Sequence, residues 1–252
     1  MMRTIDLNSD LGESFGAYSM GNDAQVLQHV TSANIACGFH ASDPLTMVKA
    51  VRMAKEAGAA IGAHPGYPDL VGFGRREMKI APEEVRALVL YQIGALQAVC
   101  RAEGAALHHV KPHGALYNMA AKDGKLALAV ADAVAGADEG LILVGLSGSL
   151  MADAAKAKGL RFAAEVFADR AYEDDGSLVS RSKPGAMIED EDLAIARMVR
   201  LMREGTLESV SGRIISPAAD TVCVHGDGPK ALAFAARLRE AFAAEGILVR
   251  PL

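Results

Sequence analysis

The chain has 252 residues, 51% of them hydrophobic, and its 26 Lys and Arg against 31 Asp and Glu leave a formal net charge of −5. With no basic block and no interleaving of basic and aromatic residues, this balance argues against nucleic acid as a partner. No apolar run reaches the roughly 18 residues that cross a bilayer, and the N-terminus enters a strand pattern with no signal-peptide core, so the expectation is a soluble cytoplasmic protein with no membrane partner.

A chain of this length buries roughly three quarters of its unfolded surface, enough for one sizeable core. Cys37, Cys100 and Cys223 are odd in number and lack CxxC spacing. That argues against a disulfide framework and against a structural zinc site.

Seven short apolar or alternating runs read as strands: Thr4–Asn8, Ser32–Ala36, Ala60–His64, Leu107–Lys111, Leu141–Leu146, Arg161–Phe167 and Thr221–His225. Between them lie helical patterns over Pro44–Ala57, Pro82–Glu103, Lys125–Ala135, Ser149–Lys158, Asp190–Glu204 and Pro229–Glu245. Proline at first turns (Pro44, Pro82, Pro229) and glycine after helix ends (Gly58, Gly104, Gly159) punctuate them. Regular alternation of strand and helix predicts a parallel sheet with helical crossovers. With no linker or break in composition, residues 1–252 read as a single domain, a closed (β/α)7 barrel to which Gly246–Val249 would add an eighth strand. The rival is an open doubly wound sheet. Against it, no GxGxxG follows the first strand and no GxxxxGK[ST] occurs anywhere.

The polar residues fall at the carboxyl ends of these strands: Asn8, Asp10 and Glu13; Asn34, Cys37 and His40; His64, Tyr67 and Asp69; Lys111, His113 and Tyr117; Ser147 and Ser149; Glu165, Asp169, Arg170 and Tyr172; His225 and Asp227. In a barrel these ends converge on one mouth. Two connections, 65–80 and 168–188, are too long for simple turns and read as lids or binding loops. Their Arg75, Arg76, Arg170 and Arg181 are candidate anion contacts, with at least two of the four expected to be solvated loop arginines.

The richest stretch is His108–Asn118. Pro112 ends the strand after Lys111, so the side chains that follow are aimed rather than paired. Gly114 is expected to let the backbone come close to a ligand. Asp10 is a metal-ligand or acid/base candidate, since an inward carboxylate in a barrel needs a cation, a proton or a donor network; helix capping is its bland alternative. His40, His64 and His113 end neighbouring strands, and Asp10 with two of these histidines would make a hydrolytic metal set with an open position for water. No HExxH-type spacing pins them. Cys37 reads as a buried inert thiol more than as a nucleophile. Gly145-Leu146-Ser147-Gly148-Ser149, between strand and helix, offers a weak phosphate cradle.

Several segments, taken in order, are similar to one known family: Asp6–Glu13, Asn34–Ala41, Gly62–Pro65 with Tyr67–Asp69, Gly72–Arg76, Val110–Asn118, Glu165–Arg170 and Val224–Asp227. Together they resemble the LamB/YcsF family of 5-oxoprolinase A subunits. Ser42 departs from the family pattern, which has glycine before Asp-Pro. The resemblance implies a distorted seven-stranded TIM-like barrel of the glycoside hydrolase/deacetylase-like superfamily. It also implies opening of 5-oxo-L-proline to L-glutamate at the expense of ATP, together with 5-oxoprolinase subunits B and C.

On this basis the expected catalytic residues are Asp10, His40, His64, Lys111 and His113. The expected substrate contacts are Asn8, Glu13, Arg75, Tyr117, Arg170, His225 and Asp227, and a divalent metal, where one is used, falls to Asp10, His64 and His113. Two other classes stay open. One is a stand-alone metal-dependent deacetylase or amidohydrolase acting on a sugar or amide, and the other is a non-catalytic lactam-binding subunit.

Overall fold

A computed structural model describes residues 3–180, 183–224 and 231–252. In chain order the elements are β1 (Thr4–Leu11), α1 (Asp23–Val26), β2 (Ser32–Ala36), α2 (Pro44–Glu56), β3 (Ala60–His64), α3 (Pro82–Ala102), β4 (Leu107–Val110), α4 (Gly114–Ala120), α5 (Gly124–Ala137), β5 (Ile142–Leu146), α6 (Leu150–Ala157), β6 (Arg161–Phe167), α7 (Glu191–Glu204), β7 (Leu207–Glu208), β8 (Ile214–Ile215), β9 (Thr221–Cys223), α8 (Ala231–Ala244) and β10 (Leu248–Val249). Strands β1 to β6 and β9 pair side by side in parallel, and β9 returns to β1, closing a seven-stranded barrel. The last run does form a strand, but β10 pairs only with Thr4 and Ile5 at the foot of β1 and does not enter the ring.

Most elements follow the sequence pattern, and the departures have local causes. β1 runs on to Leu11, three residues past the expected end, because Asp10 and Leu11 pair with Asn34 and Ile35 of β2. α4 begins directly after His113, so Tyr117 and Asn118 sit on a helix and not in a loop. The short α1 and the antiparallel hairpin β7–β8 were not anticipated. The expected strand end at His225 and helix start at Pro229 lie outside the described residues.

Alternation along the strands sorts the core. Leu7, Leu11, Ile35, Ile61, Val110, Val166 and Val222 face the helices and join Val51, Val89, Ile93, Leu96, Val130, Leu238 and Phe242 in one apolar cluster. The other face of the same strands carries Asp6, Asn8, Asn34, His109, Glu165 and Thr221, all buried and hydrogen-bonded to one another inside the barrel. A barrel interior is ordinarily filled by branched apolar side chains; here a polar network fills it.

Asp43 caps α2 by accepting hydrogen bonds from the N–H groups of Leu45 (2.9 Å) and Thr46 (3.2 Å). The residue before it, Ser42, has φ +73°, the left-handed region that costs an ordinary L-residue about 1–2 kcal/mol. This is the physical reason that glycine suits the position. Ser42→Gly is expected to raise stability by about 0.5–1 kcal/mol, read as a higher urea midpoint at unchanged m-value. A lowered midpoint would show that the Ser42 hydroxyl outweighs the backbone.

Candidate active site

Pro112 and Gly114 bring β4 and the 65–80 loop together at the barrel mouth. The Lys111 N–H still donates to Ala63 O (2.9 Å) and that of His113 to Pro65 O (2.8 Å), so the chain stays registered on β3 past the end of the ladder. Gly114 has φ +53°, and a Cβ there would lie 2.6 Å from Gly74 O. Gly114 thus permits a close approach to the neighbouring loop, and it also lines the cleft.

Lys111 is the hub of the floor. Its Nζ donates to Glu165 Oε1 (2.8 Å), Asp10 Oδ1 (3.0 Å) and Asn8 Oδ1 (3.0 Å), and stands 3.3 Å from Cys223 Sγ. Burial alone would strip its proton, but the Asp10 and Glu165 carboxylates reverse this and hold its pKa well above the ordinary lysine value. Glu165 also accepts from Tyr117 Oη (2.7 Å) and Asn8 Nδ2 (3.1 Å). Tyr117 is accordingly kept protonated, with burial and then Glu165 pushing its phenol well above the usual range. Burial likewise keeps Cys223 a neutral thiol, and the Cys37 thiol is pushed up to about 12, as expected for an inert cysteine.

Two asparagines carry this order outward. Asn34 Nδ2 donates to Asn8 Oδ1 (2.8 Å) and to Asp10 Oδ1 (2.8 Å), while its oxygen lies 2.8 Å from His109 Nε2. An amide oxygen only accepts, so His109 carries its proton on Nε2. His109 is neutral, its pKa lowered to about 3 by burial first and then by the charges of His108 and Lys111. It fits because Gly62 faces it: a Cβ on Gly62 would lie 2.1 Å from Nε2.

Beside this charged floor lies a group of imidazoles. His64 Nδ1 is 2.7 Å from Lys111 O, and His113 Nε2 is 2.8 Å from Phe73 O. Carbonyls fix protons on those nitrogens, and the other pair, His64 Nε2 and His113 Nδ1, face each other at 3.0 Å. Asp10 Oδ2 stands 3.3 Å from His64 Nε2. His40 stacks on His113 with ring centroids 3.7 Å apart. Burial lowers the pKa of His40 well below the usual value and that of His113 to about 3. Glu13 Oε1 lies 3.8 Å from His40 Nε2 and 3.9 Å from His113 Nδ1. One ligand atom from each of Glu13, His40, His64 and His113 falls within 4.8 Å of the others, a set that could hold a metal ion.

Asp10, Glu13, His64, Lys111 and His113 border a cleft of about 600 Å³ that opens between the mouth of the barrel, α4 and the 168–188 loop. Residues 5–252 match the LamB/YcsF family along the whole barrel. The chain belongs to the LamB/YcsF family. It is 55% identical over 251 residues to a Clostridium beijerinckii protein named as the A subunit of 5-oxoprolinase, covering 100% of this chain and 98% of that one. A Thermococcus onnurineus protein of the same name is 56% identical over 248 residues, covering 98% of this chain and 97% of the relative. The crystal structure of a lactam utilization protein from Thermus thermophilus superposes with a TM-score of 0.94 at 50% identity, covering 99% of this chain and all of the other.

Of the site residues expected from the sequence, this LamB/YcsF barrel lines its cleft with Asp10, Glu13, His64, Arg75, Lys111, His113, Tyr117 and Arg170. Asn8 and His40 lie behind the cleft wall, buried, and act on it through Lys111 and through His113. His225, Asp227 and Arg181 lie outside the described residues. Among the loop arginines, Arg76 is paired with Asp69, so it braces its own loop. Arg75 lies over the Phe73 ring, and Arg170 donates to Val179 O (2.6 Å) and Ala186 O (3.4 Å), tying down the 168–188 loop whose wall it forms. The anticipated phosphate cradle does not form: the N–H groups of Ser147 and Ser149 are taken by Glu165 O and Leu146 O, and only Leu146 of that run reaches the cleft. For the metal, the ligand atoms that gather are those of Glu13, His40, His64 and His113, which include the expected His64 and His113, and Asp10 Oδ2 stands beside them, 3.3 Å from His64 Nε2.

Glu165 and Asn34 stood among the strand-end groups without a role, and His109 was missed. The signal was there: His109 precedes Lys111 by two residues, which in a strand places both on the same face.

Two consequences are measurable. Lys111→Met leaves the buried Glu165 carboxylate and the half-buried Asp10 carboxylate without their cation, so unfolding free energy should fall by about 3–5 kcal/mol. Adding Glu165→Gln to it should return part of that loss, which additive losses would contradict. The second concerns pH. His109 has a folded pKa of about 3 against an ordinary 6.5, so its contribution is complete above 6.5 and is lost as pH falls from there towards 3. Stability should drop on the order of 2 kcal/mol from this residue between pH 6.5 and 5. His109→Gln, which can still donate to Asn34, should flatten the profile, and an unchanged slope would exclude His109 as its source.

Proposed function

We propose that this chain is the lactam-opening subunit of an ATP-dependent 5-oxoprolinase, acting on 5-oxo-L-proline with subunits B and C. The observation that carries the reading is the Lys111–Asp10 pair on the floor of the cleft. It is supported by identity near 55%, over almost the full length, to proteins named for this activity.

A five-membered lactam resists hydrolysis because amide resonance deactivates its carbonyl. Phosphoryl transfer from ATP to the amide oxygen removes that resonance and leaves a carbon that water can attack. Water adds to that carbon, the ring C–N bond breaks with the nitrogen taking up a proton, and the phosphoryl group leaves as inorganic phosphate, giving the amine and the new carboxyl group of L-glutamate beside ADP. Neither GxxxxGK[ST] nor GxGxxG occurs in the chain, which supports placing the nucleotide on the partner subunits.

In this reading the chain supplies charge and a base. Lys111, permanently protonated, faces the negative charge that develops on the substrate oxygen, at a buried position where such a charge pair is strong. Asp10, with Oδ1 held by Lys111 and Asn34, offers Oδ2 as the base that takes the proton of the attacking water. Glu165, Tyr117 and Asn8 position Lys111, and Arg75 on the cleft wall is the contact for the substrate carboxylate.

A second reading, a stand-alone metal-dependent amidohydrolase or deacetylase, is favoured by one observation, the grouping of Glu13, His40, His64 and His113. Glutamate release from 5-oxo-L-proline separates the two. We expect turnover only with ATP and with subunits B and C present, and a fall in kcat of about 10²–10⁴-fold in Asp10→Asn with the assembly intact. Full turnover by that variant overturns the assignment of Asp10. Activity of the chain alone without ATP selects the second reading.

A further inference from the structure

We propose that Glu13, His40, His64 and His113 form a binding site for one divalent transition-metal ion of the zinc class. The inference is independent of the lactam reading and rests on unsatisfied lone pairs. His64 Nε2 and His113 Nδ1 face each other at 3.0 Å, while their other nitrogens are taken up by Lys111 O and Phe73 O, so both inner nitrogens are turned into the group. A metal ion between or beside them would bind both. His40 is 1% exposed, and neither of its ring nitrogens has a hydrogen-bond partner. A buried imidazole with nothing to bind is a costly arrangement that a metal ligand resolves.

The spacing agrees. Ligands about 2.1 Å from a tetrahedral metal stand about 3.4 Å from one another. The separations here, 3.0 Å for His64 to His113, 3.8 Å for Glu13 to His40 and 3.9 Å for Glu13 to His113, bracket that value. Three imidazoles and one carboxylate suit zinc or a neighbouring transition metal, whereas calcium and magnesium take oxygen ligands. The outer contacts are those of metal-bound histidines, whose second nitrogen donates to a main-chain carbonyl. The 65–80 loop is shaped around the group: a Cβ on Gly66 would lie 2.6 Å from His40 Nδ1, and one on Gly74 would lie 2.7 Å from His40 Cβ. Phe73, held at φ +54°, presents the carbonyl that sets the His113 tautomer. Asp10 Oδ1 is held by Lys111 and Asn34, and its Oδ2 stands at the edge of the group, 3.3 Å from His64 Nε2.

The test is metal binding by the full chain, stripped with chelator and titrated with Zn²⁺ by calorimetry. We expect one ion per chain and, at a hundredfold excess over Kd, a Tm raised by about 5–10 °C. Glu13→Gln and His40→Asn should each weaken binding at least about tenfold, while His29→Asn, away from the group, changes it by less than about threefold. Should the His40 variant fail to fold, the visible spectrum of the Co²⁺-loaded wild-type chain decides: intense four-coordinate bands support a site of nitrogen and oxygen ligands. No stoichiometric binding, a pale six-coordinate spectrum, or binding lost in Asp10→Asn but kept in Glu13→Gln overturns the proposal.

Discussion

One ammonium group, buried at the centre of the barrel, organises the polar interior. Lys111 is 2% exposed, and it keeps its charge because two carboxylates and an amide oxygen surround it within 3.0 Å. Each of those partners is then constrained by the next. Asn8 cannot flip, because its oxygen is needed by Lys111 and Asn34 while its nitrogen serves Glu165 and Thr221. Thr221 in turn donates its hydroxyl hydrogen bond to Asp6, which also accepts from Thr31 and Ser32 at the foot of the barrel. A network of this kind is worth having only if it is complete, since a single missing partner leaves a buried polar group unsatisfied. Replacing apolar barrel filling by polar groups thus trades packing for orientation, and the orientation arrives at Asp10.

The mouth is divided by charge state. On one side the Asp10 and Glu165 carboxylates hold Lys111 charged. On the other, burial holds His40 and His113 neutral, and His109 below them is neutral for the same reason. Had the imidazoles been cationic, the stacked pair at 3.7 Å would bring two positive charges together in a poorly solvated place. Neutrality therefore follows from geometry, and it leaves ring lone pairs turned inward, next to a carboxylate, at the edge of a cleft. Charge stabilisation and lone-pair donation are thereby placed within one constellation without cancelling each other.

Much of this could be read from the order of residues. The alternation of strand and helix gave the barrel, and clustering of Asp10, His64, Lys111 and His113 after strands gave the mouth, because parallel strands bring all their carboxyl ends to one face. What stayed hidden depends on distances between strands. Glu165 is separated from Asn8 by 157 positions, and nothing local in either marks the hydrogen bond between them. Arg76 and Arg170 looked like anion contacts by residue type, yet partners within their own loops claim their guanidinium groups. Asp10 and Glu13 are equivalent by type as metal ligands. Only the folded arrangement shows that Lys111, reaching back from β4, pairs with Asp10, while Glu13 gathers with the three histidines.

Glycine placement explains how so many side chains fit. Gly62 on β3 leaves the space that His109 fills, and Gly66, Gly74 and Gly114 let the 65–80 loop and the start of α4 close around His40 and His113. In each case a missing Cβ on one strand or loop is matched by a ring or a backbone carbonyl from another. The cost is a loop with few side chains of its own to stabilise it, offset by main-chain bonds such as Ala115 N–H to Gly74 O (2.9 Å) and by the Asp69–Arg76 pair. Phe73, a non-glycine residue at positive φ in that loop, is the point where strain is retained, and its carbonyl is the acceptor that orients His113. Backbone strain held in place by surrounding contacts and coupled to the tautomer of a cleft-lining histidine is what a preorganised site requires. The same loop that looks irregular in sequence is therefore what fixes the direction of the inner lone pair.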